Sequence, residues 1–156
     1  MKLTVQQVFD ATPILANIMR ENRPLPSKGK YRIARMHRKM QTEWDTIAER
    51  YNAMIKTYDH QRRVHEIEKS DGKRVVERVS DEEYAAMSDE AKAKTVMQDA
   101  VPDDKLPEFQ AKWKELAAEE IDVAIDPIPL DQLCIDGEEG GISIAEFSVL
   151  ADLVEG

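Results

Sequence analysis

The groups in this chain with the means to do chemistry are three histidines, one cysteine and a large stock of carboxylates. His60 and His65 stand five residues apart, a spacing that does not bring them to one helical face. There is no His-Glu-x-x-His and no Cys-x-x-Cys, so the usual zinc patterns are missing. His37 falls on an apolar seam and reads as a packed or rim histidine rather than a ligand. Cys134, between Leu133 and Ile135, reads as a buried and inert thiol, because a reactive one needs an electropositive setting. Adjacent acids such as Asp103-Asp104 and Glu119-Glu120 point in different directions on a helix and make poor acid–base pairs. No Gly-x-Ser-x-Gly elbow is present, and Gly29 stands alone where a phosphate cradle needs several glycines. The turn Asp136–Gly141 is acidic but lacks the alternating oxygens and closing glutamate of an EF-hand loop. These patterns predict no catalytic residue, no cofactor and no metal, and hence a protein that is not an enzyme.

The remaining chemistry is charge. Between Arg20 and Lys39 the chain carries eight Lys or Arg against one acid, Glu21. The candidate partner contacts are Lys28, Lys30, Tyr31, Arg32, Arg35, Arg38 and Lys39, of which Arg32, Arg35 and Lys39 share a helical face. Such a face can grip a phosphate backbone or another acidic partner. It can also meet the acidic part of the same chain or of a neighbouring copy, or simply be solvated. Residues 1–80 hold 17 bases and 10 acids, a charge of +7, and residues 81–156 hold 5 bases and 21 acids, a charge of −16. So large a counter-charge favours pairing within the chain or with a neighbouring copy, and it repels a polyanion approaching from the wrong side. No helix-turn-helix, zinc finger or stacking-sheet signature accompanies the basic stretch.

These residues need elements to position them. Val5, Val8, Phe9, Leu15, Ile18 and Met19 predict a helix over 4–21, with a kink or break at Pro13 and Thr12 as a second cap. The connector 22–29 holds two prolines, and Ser27 is the expected N-cap of the next helix. Ile33, Met40, Trp44, Ile47, Tyr51, Met54 and Tyr58 repeat at heptad-like steps and predict a helix over 30–60, roughly 45 Å long. Ser70-Asp71-Gly72 between valine-bearing arms signals a hairpin near 64–79, with a helix-to-helix excursion as the alternative. Ser80 with Glu83 forms a capping box and Ser88 a partial one, opening a weakly apolar helical stretch over 80–100. A helix over 104–120, a short strand over 121–126 and a last helix capped by Ser143 and Glu146 complete the chain. Ile128, Leu130, Leu133 and Ile135 are expected to cover the core.

The expected fold is mainly α. A long central helix packs against shorter ones, with a small β element in a single domain of 156 residues and 61–100 as an exposed excursion. Apolar residues make up 42%, too many for a disordered chain, and one cysteine rules out an intramolecular disulfide. No apolar run reaches the roughly 20 residues of a membrane span, and polar Thr4, Gln6 and Gln7 do not read as a signal peptide.

Four stretches carry a resemblance: Leu25-Pro26-Ser-Lys28-Gly-Lys-Tyr31-Arg-Ile33-Ala34-Arg35, then Glu43 to Tyr58 with Glu49-Arg50, then Phe109 to Leu116 followed by Ile121-Asp-Val123 and Ile128-Pro-Leu130, and last Ile142-Ser143-Ile144-Ala145 with Leu150. Together they resemble a family of small tailed-bacteriophage proteins of unknown function. Residues 60–100 depart from that pattern and look like an enlargement of a shorter turn. No catalytic motif defines the family, so the resemblance transfers no functional residue. It implies an accessory protein that works by protein–protein contact, either a virion component or an assembly factor. An early protein that binds and inhibits a host factor is the alternative, and a nucleic-acid-binding protein using residues 20–39 the second. The expected partners are copies of the chain or other phage proteins, with no membrane, in the virion or the host cytoplasm.

Overall fold

Thr4 closes one element and opens the next. Lys2–Thr4 is strand β1 and Val5–Arg20 is helix α1. The Thr4 hydroxyl accepts from the Gln7 N–H at 3.1 Å, and Gln7 Oε1 accepts from the Thr4 N–H at 2.7 Å. This capping box satisfies two N–H groups that an α-helix start leaves open. The computed structural model describes residues 1–70, 74–135 and 141–156, which divide into two compact units: 1–50 with 112–156, and 51–111. The stretch 61–100 falls wholly within the second.

In the first unit, α1 buries Val5, Val8, Leu15 and Ile18. The expected break at Pro13 is absent, and α1 runs through it. Thr12 caps nothing; its buried hydroxyl donates to the Val8 carbonyl at 2.7 Å. Pro13 has no N–H for the Phe9 carbonyl four residues back, and the Trp44 indole N–H takes that acceptor at 3.2 Å. Asn22, at φ 47°, supplies the left-handed residue that ends this helix.

Helix α2, Ser27–Lys56, is the expected long helix. Ser27 lies inside it rather than capping it, and the Pro26 carbonyl accepts the Lys30 N–H at 3.0 Å. Ile33, Met40 and Ile47 of the seam are buried, together with Met36, while Trp44 stacks on Phe9 with ring centroids 6.0 Å apart. Strand β1 pairs antiparallel with a strand at Glu120–Asp122, Leu3 facing Ile121. Ile128–Pro129 pairs in parallel with Val154–Glu155. Ile144–Leu150 is the last helix, with the Ser143–Glu146 capping box formed. Ile128 and Leu133 are buried as expected, but Leu130 and Ile135 are exposed.

In the second unit, Gln61–Glu68 (β2) and Arg74–Arg78 (β3) form the expected antiparallel hairpin, Val64 facing Arg78 and Glu68 facing Arg74. The Asp71-Gly72 turn that announced it lies outside the described residues. A helical 80–100 is not what forms. Asp81–Ala86 and Asp89–Ala93 are two short helices, each opened by its expected serine cap. Thr95–Asp99 is then a strand, β4, pairing antiparallel with β2. Ser88 restarts the helix too late for a long one, and β-branched Thr95 and Val96 suit a pleated edge. The expected 104–120 helix spans Leu106–Ala117, of which residues 106–111 belong to this unit and the rest to the first, and Glu120 belongs to the strand beyond it. Tyr51 and Tyr58 meet the Phe109 ring edge-on, with centroids 5.4 and 6.3 Å away.

The mainly-α expectation therefore needs correcting. Among the described residues helix dominates at 57%, but the fold is mixed α/β with three small open sheets. Their strands are two to eight residues long. The two small sheets of the first unit form only because partners distant in sequence complete them. Among the described residues, no helix is long and apolar enough to cross a membrane.

Candidate functional site

Five of the seven candidate partner contacts come together on α2. Lys28, Tyr31, Arg32, Arg35 and Lys39 line a cleft of about 590 Å³. The cations follow one another at steps of four, three and four residues, so they stay on one face over roughly 16 Å of helix. Apolar Met36 and Ile125 also line it, as do Ser27, Asp126 and Gln132. The volume lies within the range of ligand-sized sites.

Gly29 does not itself line the cleft but lets Gln132, which does, approach α2. It is buried where the turn Leu130–Gln132 crosses the first turn of α2, and a Cβ on it would overlap the Gln132 carbonyl oxygen. A side chain at position 29 would push that turn away from the helix. Gln132 Oε1 is shielded from solvent and has no hydrogen-bond partner among the described residues. Lys39 is held in place by donating its Nζ to the Ala124 carbonyl.

The other two candidate contacts point elsewhere. Lys30 donates to Asn22 Oδ1 at 3.0 Å and lines a second, apolar pocket of about 200 Å³ with Ile18, Met19 and Ile33. Arg38 is exposed and does not line the cleft.

Pairing of the basic stretch with the acidic part of the chain does not occur at the cleft. Among the described residues, no ion pair joins Lys28, Arg32, Arg35 or Arg38 to an acid. Long-range pairs of the first unit use Arg50, outside the basic stretch, and Arg23, near its start, so the stretch does meet the acidic part of the chain at Arg23. Arg50 binds Glu119 through two bonds of 2.9 and 3.1 Å, and that contact holds the Glu119 carboxyl below its ordinary range. Arg23 makes a fork to Glu146 at 2.6 and 2.7 Å and donates to the Gly141 carbonyl at 3.1 Å. That guanidinium, helped by the Ser143 N–H and hydroxyl, lowers the Glu146 carboxyl to about 2 despite partial burial. Glu146 in turn raises the Arg23 guanidinium. This pair joins the α1–α2 connector to the start of the last helix.

Elsewhere the expected chemistry stays dispersed. Among the described residues, no three His, Cys, Asp or Glu side chains come close enough to hold a metal ion. His37 is half-buried on the seam, with Nε2 shielded from solvent. Cys134 is exposed, contrary to the buried thiol expected from its neighbours. Leu133 turns inward, and Cys134 uses its carbonyl to accept the Ile142 N–H at 2.8 Å, which leaves its side chain on the outer side. The acidic residues 136–140 lie outside the described residues.

Sequence reasoning missed Ser27, Met36, Ile125, Asp126 and Gln132 as parts of the cleft. The only signal was Gly29, a glycine in the first turn of a helix, where a close approach explains it better than a turn does. Comparison with protein-family models, with curated proteins and with solved structures finds no match to this chain.

Proposed function

We propose that this protein acts by contact rather than catalysis, docking an acidic segment of a protein partner in the cleft on α2. One observation carries the reading: Lys28, Arg32 and Arg35 converge on a cleft and have no ion-pair partner among the described residues. Cations left unpaired in a chain with 31 acids are available for an external anion. The resemblance to small tailed-phage proteins makes the function that of a virion component or assembly factor, working in the virion or the host cytoplasm. Contact with nucleic acid is a second reading, favoured by Tyr31. That residue is 69% exposed among the cations, a setting in which a base can stack.

The test compares a glutamate-rich peptide with a single-stranded oligonucleotide as labelled probes, at low and high salt. Peptide binding that weakens with salt and is lost in the Arg32→Glu/Arg35→Glu variant supports the first reading. Preference for the oligonucleotide moves the assignment to the second. Binding of neither probe removes both. Cosedimentation with purified phage particles then separates a virion component from an assembly factor that leaves.

A further inference from the structure

We infer that β4 is a self-pairing edge, through which two copies of this chain join their three-stranded sheets into one of six strands. The sheet order is β3-β2-β4, so β3 and β4 are both edges among the described residues. The two edges differ in chemistry. β3 reads Arg-Val-Val-Glu-Arg, with charge at both ends and near its middle. β4 reads Thr-Val-Met-Gln-Asp, with one charge, at its last position, and no proline. Proteins usually guard an open edge with lysine, proline, a bulge or a covering element, and β4 has neither lysine nor proline. Its apolar side chains are also open: Val96 is 58% exposed and Met97 53% exposed.

The occupant follows from register. An antiparallel pairing of β4 with its own copy about Met97 sets Met97 against Met97, Val96 against Gln98 and Thr95 against Asp99. No like charges meet, and two exposed methionines cover each other. The same operation on β3, about Val76, sets Arg74 against Arg78 twice, which is repulsive. The sequence of β4 thus fits a second copy of itself, whereas that of β3 rejects one. Five-residue strands bury well under the roughly 1,000 Å² of a permanent interface, so the dimer is weak and depends on concentration. It rests on main-chain bonds and apolar contact, so added salt does not dissolve it. This separates it from docking at the basic cleft, which salt weakens.

The experiment is light scattering of the full chain over a range of concentrations, at low and high salt, joined to disulfide trapping. Average mass should rise with concentration from 17.8 kDa towards twice that value at either salt level. Met97→Lys, which opposes two lysines at the two-fold axis, should keep the mass at the monomer value, and Met97→Leu should not. In a Cys134→Ser background, Met97→Cys should yield a covalent dimer under mild oxidation, and Val76→Cys should not. Monomer mass at every concentration together with no trapping at Met97→Cys would overturn the inference. So would association that high salt abolishes, or trapping at Val76→Cys instead. Met97 is exposed, so these variants should fold, and trapping reports the contact even if the Met97→Lys chain proves unstable.

Discussion

The indole N–H of Trp44 donates to the carbonyl oxygen of Phe9 at 3.2 Å, and Phe9 is the residue whose carbonyl Pro13 cannot serve. A proline inside a helix leaves the carbonyl four residues earlier without its donor. Here a side chain from α2 supplies one, while its ring stacks on Phe9. A buried acceptor left unpaired costs roughly 1–3 kcal/mol. Trp44→Phe keeps most of the ring and removes the donor, so it should destabilise the fold by about 2 kcal/mol in urea unfolding. In a Pro13→Ala background the helix N–H returns and the same substitution should cost less. Equal costs in the two backgrounds would mean that the indole bond does not compensate for the proline.

Acid should weaken the fold through Glu146. Its carboxyl is lowered to about 2 by Arg23, from an unfolded value of 4.5. The folded state therefore binds its proton later than the unfolded state does. The stabilisation is complete above pH 4.5 and is lost as pH falls from there towards 2. Both side chains are mostly covered, so the contribution should be roughly 2 kcal/mol. Glu146→Gln should flatten that part of the curve of stability against pH. A curve unchanged by the substitution would assign the acid sensitivity to other carboxylates.

Gly29→Ala should cost about 2 kcal/mol, because the added methyl must displace the Gln132 main chain rather than a flexible side chain. It should also weaken peptide binding at the cleft while the far-ultraviolet circular dichroism stays native. Unchanged thermal stability would mean that the turn Leu130–Gln132 yields without strain.

Arg35 and Arg50 should respond in opposite directions to the same change. Arg35 stands four residues from Lys39 and three from Arg32, with no ion-pair partner among the described residues. Arg35→Gln removes like-charge crowding and should raise stability by roughly 0.3 kcal/mol. Arg50→Gln breaks the fork to Glu119 and should lower it. Urea midpoints of the two variants check this. A loss at Arg35 would reveal an intrachain partner.

The exposed Cys134 should react with a thiol reagent in the native protein, to one equivalent and without denaturant. A reaction that requires unfolding would restore the buried thiol that its apolar neighbours suggested.

The sequence by itself determined the features that rest on near neighbours. The heptad-like seam announces α2, because residues three and four apart share a helix face wherever that face is buried. The serines at 80, 88 and 143 announce three helix starts, since a cap is made within four residues. Thr4-x-x-Gln7 carries the same signal for α1. The basic face was legible too, because Lys28, Arg32, Arg35 and Lys39 are fixed relative to one another by a single helix. Only the tertiary structure decided the rest. β1 is three residues long and exists through pairing with Glu120–Asp122 across more than a hundred residues; the alternation over 121–126 announced a strand there but not its partner. β4 lies in a stretch of helix-like composition and becomes a strand because β2 offers it an edge. The partner of Arg23, the burial of Gly29 under Gln132 and the donor that answers Pro13 depend on which segments pack together. Periodicity states which face of an element is buried, but not what covers it.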